Sequence, residues 1–345
     1  MGTNVSKKLI DLLVASTAIV GGAVHAQAAP LAASLPKAAT TTPLTGCPSA
    51  PVNTLFVEFA RTGKMPPELG RWLEDPQAQI TEPYQAFDNV YNVGICWVSA
   101  WLIKTSAGPV LIDTLYEPYV NQLIVNLKTF GVDPADLKMV LLTHGHFDHV
   151  GGVSKLKALT NATFVMSQEG WRESRVNAQQ SQGKPGAWQM PAAADRIVKD
   201  GDVLTVGDTK FYVYQTPGHT WGTTSYALDV KDDGKTYRAI TIGGLGLNAI
   251  DGAQQVEAYI RSIDRIKRLV NATENPISSH LATHPFSNGL TELKELLKTR
   301  QRGQPHPLVD PQGLINQLNE LRLGATTRLA AEQAERSPKE MPIGK

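Results

Sequence analysis

The spacing of apolar residues changes several times along the chain, and each change marks an element. Val120, Leu123, Ile124 and Leu127 recur at helical spacing between Tyr116 and Phe130, and Gly131 stops the run, which predicts a helix. The same period predicts a long amphipathic helix from Gln254 to Val270, another from Leu290 to Lys298, and a terminal one from Pro311 to about Glu335. Short runs rich in Val, Ile and aromatic residues predict strands at 90–93, 98–104, 110–112, 139–142, 163–166, 203–206, 211–215, 223–228, 237–242 and 276–279. Ser106-Ala107-Gly108, Gly207-Asp208 and Asp232-Asp233-Gly234 are the turn signals between them. Strands followed by helix, twice over, predict an α/β fold of two packed sheets with helices outside.

The flanks have a different texture. Residues 1–28 read as a secretory signal: Lys7 and Lys8, then a mostly apolar stretch broken by Asp11, then small residues at Ala26 and Ala28 before a cut. The apolar run is short for a membrane span, so cleavage and release into the periplasm are expected. Residues 29–52, rich in Ala, Thr and Pro, read as a flexible linker, 53–335 as the folded domain and 336–345 as a polar tail. One or two short helices are expected between Asn53 and Asp75, broken at Pro66-Pro67. The polar stretch from Asn177 to Ala194 reads as a long loop over the active site, with Trp188 and Met190 either lining a substrate pocket or packing the loop down.

Composition narrows the function. Hydrophobic residues at 42% are ample for a core, and a net charge of +1 without blocks of like charge argues against nucleic acid or an anionic membrane as partner. A small-molecule substrate is left, and oligomeric state stays open. Two cysteines cannot make a four-cysteine zinc site, and export would permit one bridge between them, Cys47–Cys96.

The chemistry concentrates in Met139-Val-Leu-Leu-Thr-His-Gly-His-Phe-Asp-His-Val-Gly-Gly152. A buried strand runs into a loop holding His144, His146, Asp148 and His149, then into a helix from Val153 to Leu159. Imidazole and carboxylate suit Zn²⁺. His144 and His146 can grip one ion; Asp148 and His149, offset from them, can serve a second ion close by. A single histidine is more often structural, but a core has no need for this density of titrating groups.

The His144-x-His146-x-Asp148-His149 motif, with Gly151-Gly152 after it, resembles the signature of the metallo-β-lactamase superfamily. The resemblance extends from about Phe87 to about Val309. It implies an αββα sandwich and two zinc ions, with His144, His146 and His219 on the first and Asp148, His149 and His284 on the second. His219 lies in Thr216-Pro217-Gly218-His219-Thr220, which matches the third ligand position. His284-Pro285-Phe286-Ser287-Asn288-Gly289 resembles the final-ligand segment and favours His284 over His280. Asp113 matches an aspartate that supports the metal loop, although a turn or capping aspartate is an equal reading. The strand before the long helix ends Ile242-Gly-Gly-Leu-Gly-Leu-Asn248, with no bridging carboxylate and no cysteine. That leaves the subclass using only His and Asp as the nearest match, and implies a β-lactamase in which zinc activates water and Asp148 orients it. A lactone, ester or other amide is the alternative substrate. Gly244 and Gly246 take places where that subclass often has serines for the substrate carboxylate. Asn248, Ser287 and Asn288 are the candidate substitutes, and the glycines could open room for a bulkier substrate.

Overall fold

The structure is a computed structural model that describes residues 44–336. The expected signal lies outside the described residues, as do 29–43 of the linker and 337–345 of the tail.

Helix α1 (Ser49–Thr62) begins inside the stretch read as linker. It is followed by α2 (Pro67–Glu74) and α3 (Pro76–Gln79), with the break where Pro66-Pro67 places it. The first sheet holds β1 (Tyr84–Phe87), β2 (Val90–Asn92), β3 (Trp101–Thr105), β4 (Gly108–Ile112), β5 (Met139–Leu141), β6 (Thr163–Ser167) and β7 (Arg196–Val198), in that order. Pairing is antiparallel as far as β4 and parallel from there on. Helix α4 (Val120–Thr129) crosses from β4 to β5. The motif forms α5 (Phe147–Val150) and α6 (Val153–Lys157), and α7 (Gln168–Ser181) follows β6.

The second sheet runs β12-β11-β10-β9-β8, built from β8 (Val203–Val206), β9 (Thr209–Gln215), β10 (Thr224–Asp232), β11 (Lys235–Thr241) and β12 (Ile277–His280). Asp233 and Gly234 close the β10–β11 hairpin with φ of 48° and 79°, the two left-handed residues that a tight hairpin turn requires. Helices α8 (Ala253–Val270), α9 (Leu290–Thr299) and α10 (Pro311–Arg336) complete the chain.

Side-chain alternation decides the layers. Trp101, Ile103, Val110, Ile112, Leu141 and Val165 point inward and meet Phe211, Val213, Tyr226 and Leu228 of the second sheet. Their neighbours Leu102, Leu111, Val140 and Phe164 point outward under α4, α6 and α7. On the far side, Ala227 and Ile240 pack beneath α8 and α10. Strands carrying apolar residues on both faces need cover on both, and the αββα sandwich supplies it.

Two expectations change. The strand expected from Val98 starts at Trp101, because the preceding backbone bonds elsewhere: Cys96 N–H to the Gln79 carbonyl, Ser99 N–H to Thr283. The loop expected from Asn177 is helical as far as Ser181. Ser174, Ala178 and Ser181 form a buried stripe of small residues, too weakly hydrophobic to show as a helical period. Trp188 is buried at the cavity described below, whereas Met190 packs on the outer core.

Cys47 and Cys96 are bonded, with Cα atoms 5.0 Å apart, and tie the chain ahead of α1 to the loop before Trp97. The loop closed spans 49 positions, for which cross-linking stabilises by about 2–4 kcal/mol. Cys47→Ser should lower the free energy of urea unfolding by that amount; a loss below about 0.5 kcal/mol would show that packing alone holds α1 in place.

Candidate metal centre

Every ligand candidate stands where a strand ends at one edge of the sandwich. β5 ends at Leu141, and Thr143 to His146 leave it extended. His146 is the last extended residue (φ −80°, ψ 147°), so Asp148 and His149 fall in the helical turn α5, where the His149 ring lies 4.2 Å from that of His144. His219 follows β9 through Pro217-Gly218. Gly218 has φ 148°, and a Cβ there would strike the Tyr259 backbone, so the turn lies directly against α8. His284 follows β12.

These residues come together as two groups: His144, His146 and His219; and Asp148, His149 and His284. Within each, the possible ligand atoms lie within 4.8 Å of one another. His146 Nδ1 and His219 Nε2 are 3.1 Å apart, and His149 Nε2 and His284 Nε2 are 3.3 Å apart. Asp148 Oδ2 lies 3.1 Å from His149 Nε2 and 3.7 Å from His284 Nε2.

The opposite ring nitrogens are held from outside. His149 Nδ1 donates to Asp113 Oδ2 (2.8 Å), His219 Nδ1 to the Gly246 carbonyl (2.6 Å) and His284 Nδ1 to the Trp97 carbonyl (2.8 Å). Thr143 Oγ1 donates to Asp113 Oδ2, which leaves it to accept from His144 Nδ1 at 3.1 Å. All four rings therefore turn Nε2 inward, as a lone pair on the three neutral rings and, on His149, as a nitrogen whose proton a metal ion would replace, the arrangement second-sphere partners impose on metal-binding imidazoles. His144 Nε2 is buried with no hydrogen-bond partner. Facing lone pairs and an orphaned buried nitrogen are unfavourable without a cation between them, so the residues present fit metal ions. Asp113 is thereby the support of the metal loop rather than only a turn residue.

Burial pushes the imidazoles down: His144 well below its ordinary value, His146 to about 3, His219 and His284 to about 4. Burial opposes charge on His149 as well, but Asp148 and Asp113 override it and hold His149 at about 10. Burial likewise works against the Asp148 carboxylate, which His149 nonetheless keeps below the usual range.

His280 lies outside both groups, buried with Nδ1 against Gln317 Oε1 at 3.0 Å. A cavity of about 480 Å³ opens in front of His146, Asp148, His219 and His284, and Asn248 and Ser287 line it. Asn288 does not: its amide donates to the His280 carbonyl, which turns it away from the cavity. Gly244 opens no room. A Cβ at Gly244 would collide with the His219 ring, so that place is filled, whereas at Gly246, which lines the cavity, a Cβ would displace only the end of the Asn248 side chain. Sequence reading missed the Trp97 and Gly246 carbonyls, which no residue type announces. It also missed the α1 residues Phe56, Val57 and Ala60 on the cavity wall.

Two predictions follow from the geometry. Metal bound at Asp148, His149 and His284 must displace the proton His149 holds. Affinity there should rise about tenfold per pH unit from pH 6 to 9, with one proton released per ion. The His144 group, already neutral, should show a flat profile above about pH 5. Calorimetry in buffers of different ionisation enthalpy counts the protons, and equal release at both groups would contradict the assignment. Gly244→Ser should displace His219 and weaken zinc at the first group by about 10–100-fold in a competition titration with a chelating dye.

Known proteins were compared with this chain. The metallo-β-lactamase superfamily model matches residues 93–232. The hydroxyacylglutathione hydrolase of Bdellovibrio bacteriovorus is 32% identical over 170 residues, 49% of this chain and 57% of that protein. That of Maricaulis maris is 32% identical over 131 residues, 38% and 43% of the respective chains. The chain thus matches about half the length of these curated relatives. Among solved structures, the native FEZ-1 metallo-β-lactamase of Legionella gormanii has a TM-score of 0.66 at 26% identity, covering 74% of this chain and 98% of that one. BJP-1, a subclass B3 metallo-β-lactamase of Bradyrhizobium japonicum, has a TM-score of 0.63 at 28% identity, covering 74% and 97%. Sandwich, ligand motif and matched segment agree: residues 93–232 form a metallo-β-lactamase superfamily domain, and the sandwich that contains it has the fold of the metallo-β-lactamases.

Proposed function

We propose that this hydrolase uses two zinc ions to open the β-lactam ring, and that it does so in the periplasm after export. The observation that carries the reading is the pair of ligand groups built from His and Asp alone, on a sandwich resembling that of a subclass B3 enzyme. The Lys7-Lys8 leader and the Cys47–Cys96 bridge support an oxidising compartment.

Bound at these groups, zinc would supply Lewis acidity for the scissile carbonyl and lower the pKa of an attacking water. The protein does the rest. Asp148 stays ionised and would orient that water by accepting a hydrogen bond from it. Asp113 and Thr143 keep the loop that carries Asp148 from moving as charge develops. Trp97 and Phe147, packed beside His284, exclude bulk water from the inner end of the cavity. Asn248 makes no side-chain hydrogen bond among the described residues, so its amide is free to donate to a substrate oxygen, whereas Ser287 Oγ is bonded to the His284 carbonyl.

One observation favours a second reading, hydrolysis of a neutral lactone, ester or thioester. Among the described residues, Lys184 is the only Lys or Arg lining the cavity, and it is exposed at the rim. A β-lactam carboxylate would have no buried cation to meet. Relatives named hydroxyacylglutathione hydrolase support a thioester, although the glutathione moiety is itself charged.

Purified protein loaded with zinc should hydrolyse a chromogenic cephalosporin. Chelator should abolish turnover, and His146→Ala should lower kcat/KM by more than about a hundredfold. Protein that holds two zinc ions yet leaves cephalosporins and carbapenems intact while opening lactones or thioesters would establish the second reading.

A further inference from the structure

A helix docks on a core with one apolar stripe, and α1 has two. Val52, Leu55 and Phe59 face the core. Phe56, Val57 and Ala60, with the polar Asn53 one turn before them, line the cavity, Phe56 at the border where the helix also meets the core. Val57 is 60% exposed there, a position the fold itself does not need to be apolar.

This second stripe is continuous with the metal centre. Phe56 stacks on Phe286, with centroids 4.6 Å apart and planes 3° from parallel. The Phe286 ring lies 5.5 Å from that of His284. An apolar wall thus runs without a break from a ligand out to α1. Across the cavity the charged lining residues of the outer walls are Lys184 and Glu320, both exposed and opposite in sign, so the rim offers no net charge. The wall is also held in place. The Cys47–Cys96 bond fixes the chain ahead of α1, and Ser49 N–H donates to Glu292 Oε1 at 3.1 Å. A rigid apolar surface beside a cavity of about 480 Å³, within the range of small-molecule sites, has the form of a binding subsite.

We propose that α1 is the element that determines specificity. The substrate bears an extended, uncharged apolar substituent, an alkyl or arylalkyl chain, that lies on Phe56, Val57, Ala60 and Phe286 while its carbonyl is presented to the His and Asp groups. This rests on the reading that those groups hold a carbonyl substrate, whichever ring or ester it belongs to.

The test separates binding from turnover. N-alkyl acetamides from butyl to decyl are titrated calorimetrically into the zinc-loaded protein. Each added methylene should lower Kd about three- to fourfold until the wall is covered. Val57→Asp, at an exposed position, and Phe56→Ala should each flatten that slope. Val125→Asp, which places the same charge on an exposed apolar position of α4, should leave it intact. A flat series in the wild type overturns the proposal, as does a slope unchanged in Val57→Asp. Hydrolysis of p-nitrophenyl acetate and octanoate is measured alongside. A kept binding slope without turnover supports the subsite and counts against the hydrolytic reading. Turnover with a flat binding series supports hydrolysis and removes the subsite.

Discussion

The site depends on the buried carboxylate of Asp113. Oδ1 accepts from the Thr143 backbone N–H at 2.9 Å; Oδ2 accepts from Thr143 Oγ1 and His149 Nδ1, both at 2.8 Å. Through Thr143 it orients His144 of the first group, and directly it orients His149 of the second. Burying a carboxylate is costly unless its lone pairs are met, and here three donors meet them. The backbone is strained to bring it there: Asp113 sits at φ 62° and Leu115 at 56°, left-handed positions costing on the order of 1 kcal/mol each for residues with a side chain. Without that turn at the end of β4, the strand would point its next side chain along the sheet instead of under the motif loop.

Much of this could be read from residues alone, because the motif is contiguous. Four ligands within six positions need only one strand end to bring them together, and the apolar run 139–142 marks that end. His219 and His284 were legible once a partner group existed to receive them. What stayed illegible was set by backbone. The carbonyls of Trp97 and Gly246 hold two of the five imidazoles, and a carbonyl has no residue identity. The helical end at 177–181 was hidden because its buried stripe is made of Ser and Ala. The stripe on α1 was visible as apolar residues, but a long-range bond places the helix at the cavity, and no local pattern states which wall it becomes.

The cavity divides the labour between its ends. The inner end is built on strand termini. The outer end is built on α1, α7 and α10, helices from distant parts of the chain. Changes on the helical walls can alter which substituent fits without touching a ligand, so this architecture separates selection of substrate from chemistry on the carbonyl.

The contact between Gly244 and the His219 ring bears on how such a protein can change over generations. The shortest mutational route to an anchor for an anionic substrate, one serine on the strand end after β11, is closed, since it costs a ligand before it adds a hydrogen bond. Accessible routes start at Asn248 or on the α7 side near Lys184, where a new side chain displaces nothing that a metal ion needs. A lineage carrying this glycine would therefore acquire taste for a new charge from the rim inward.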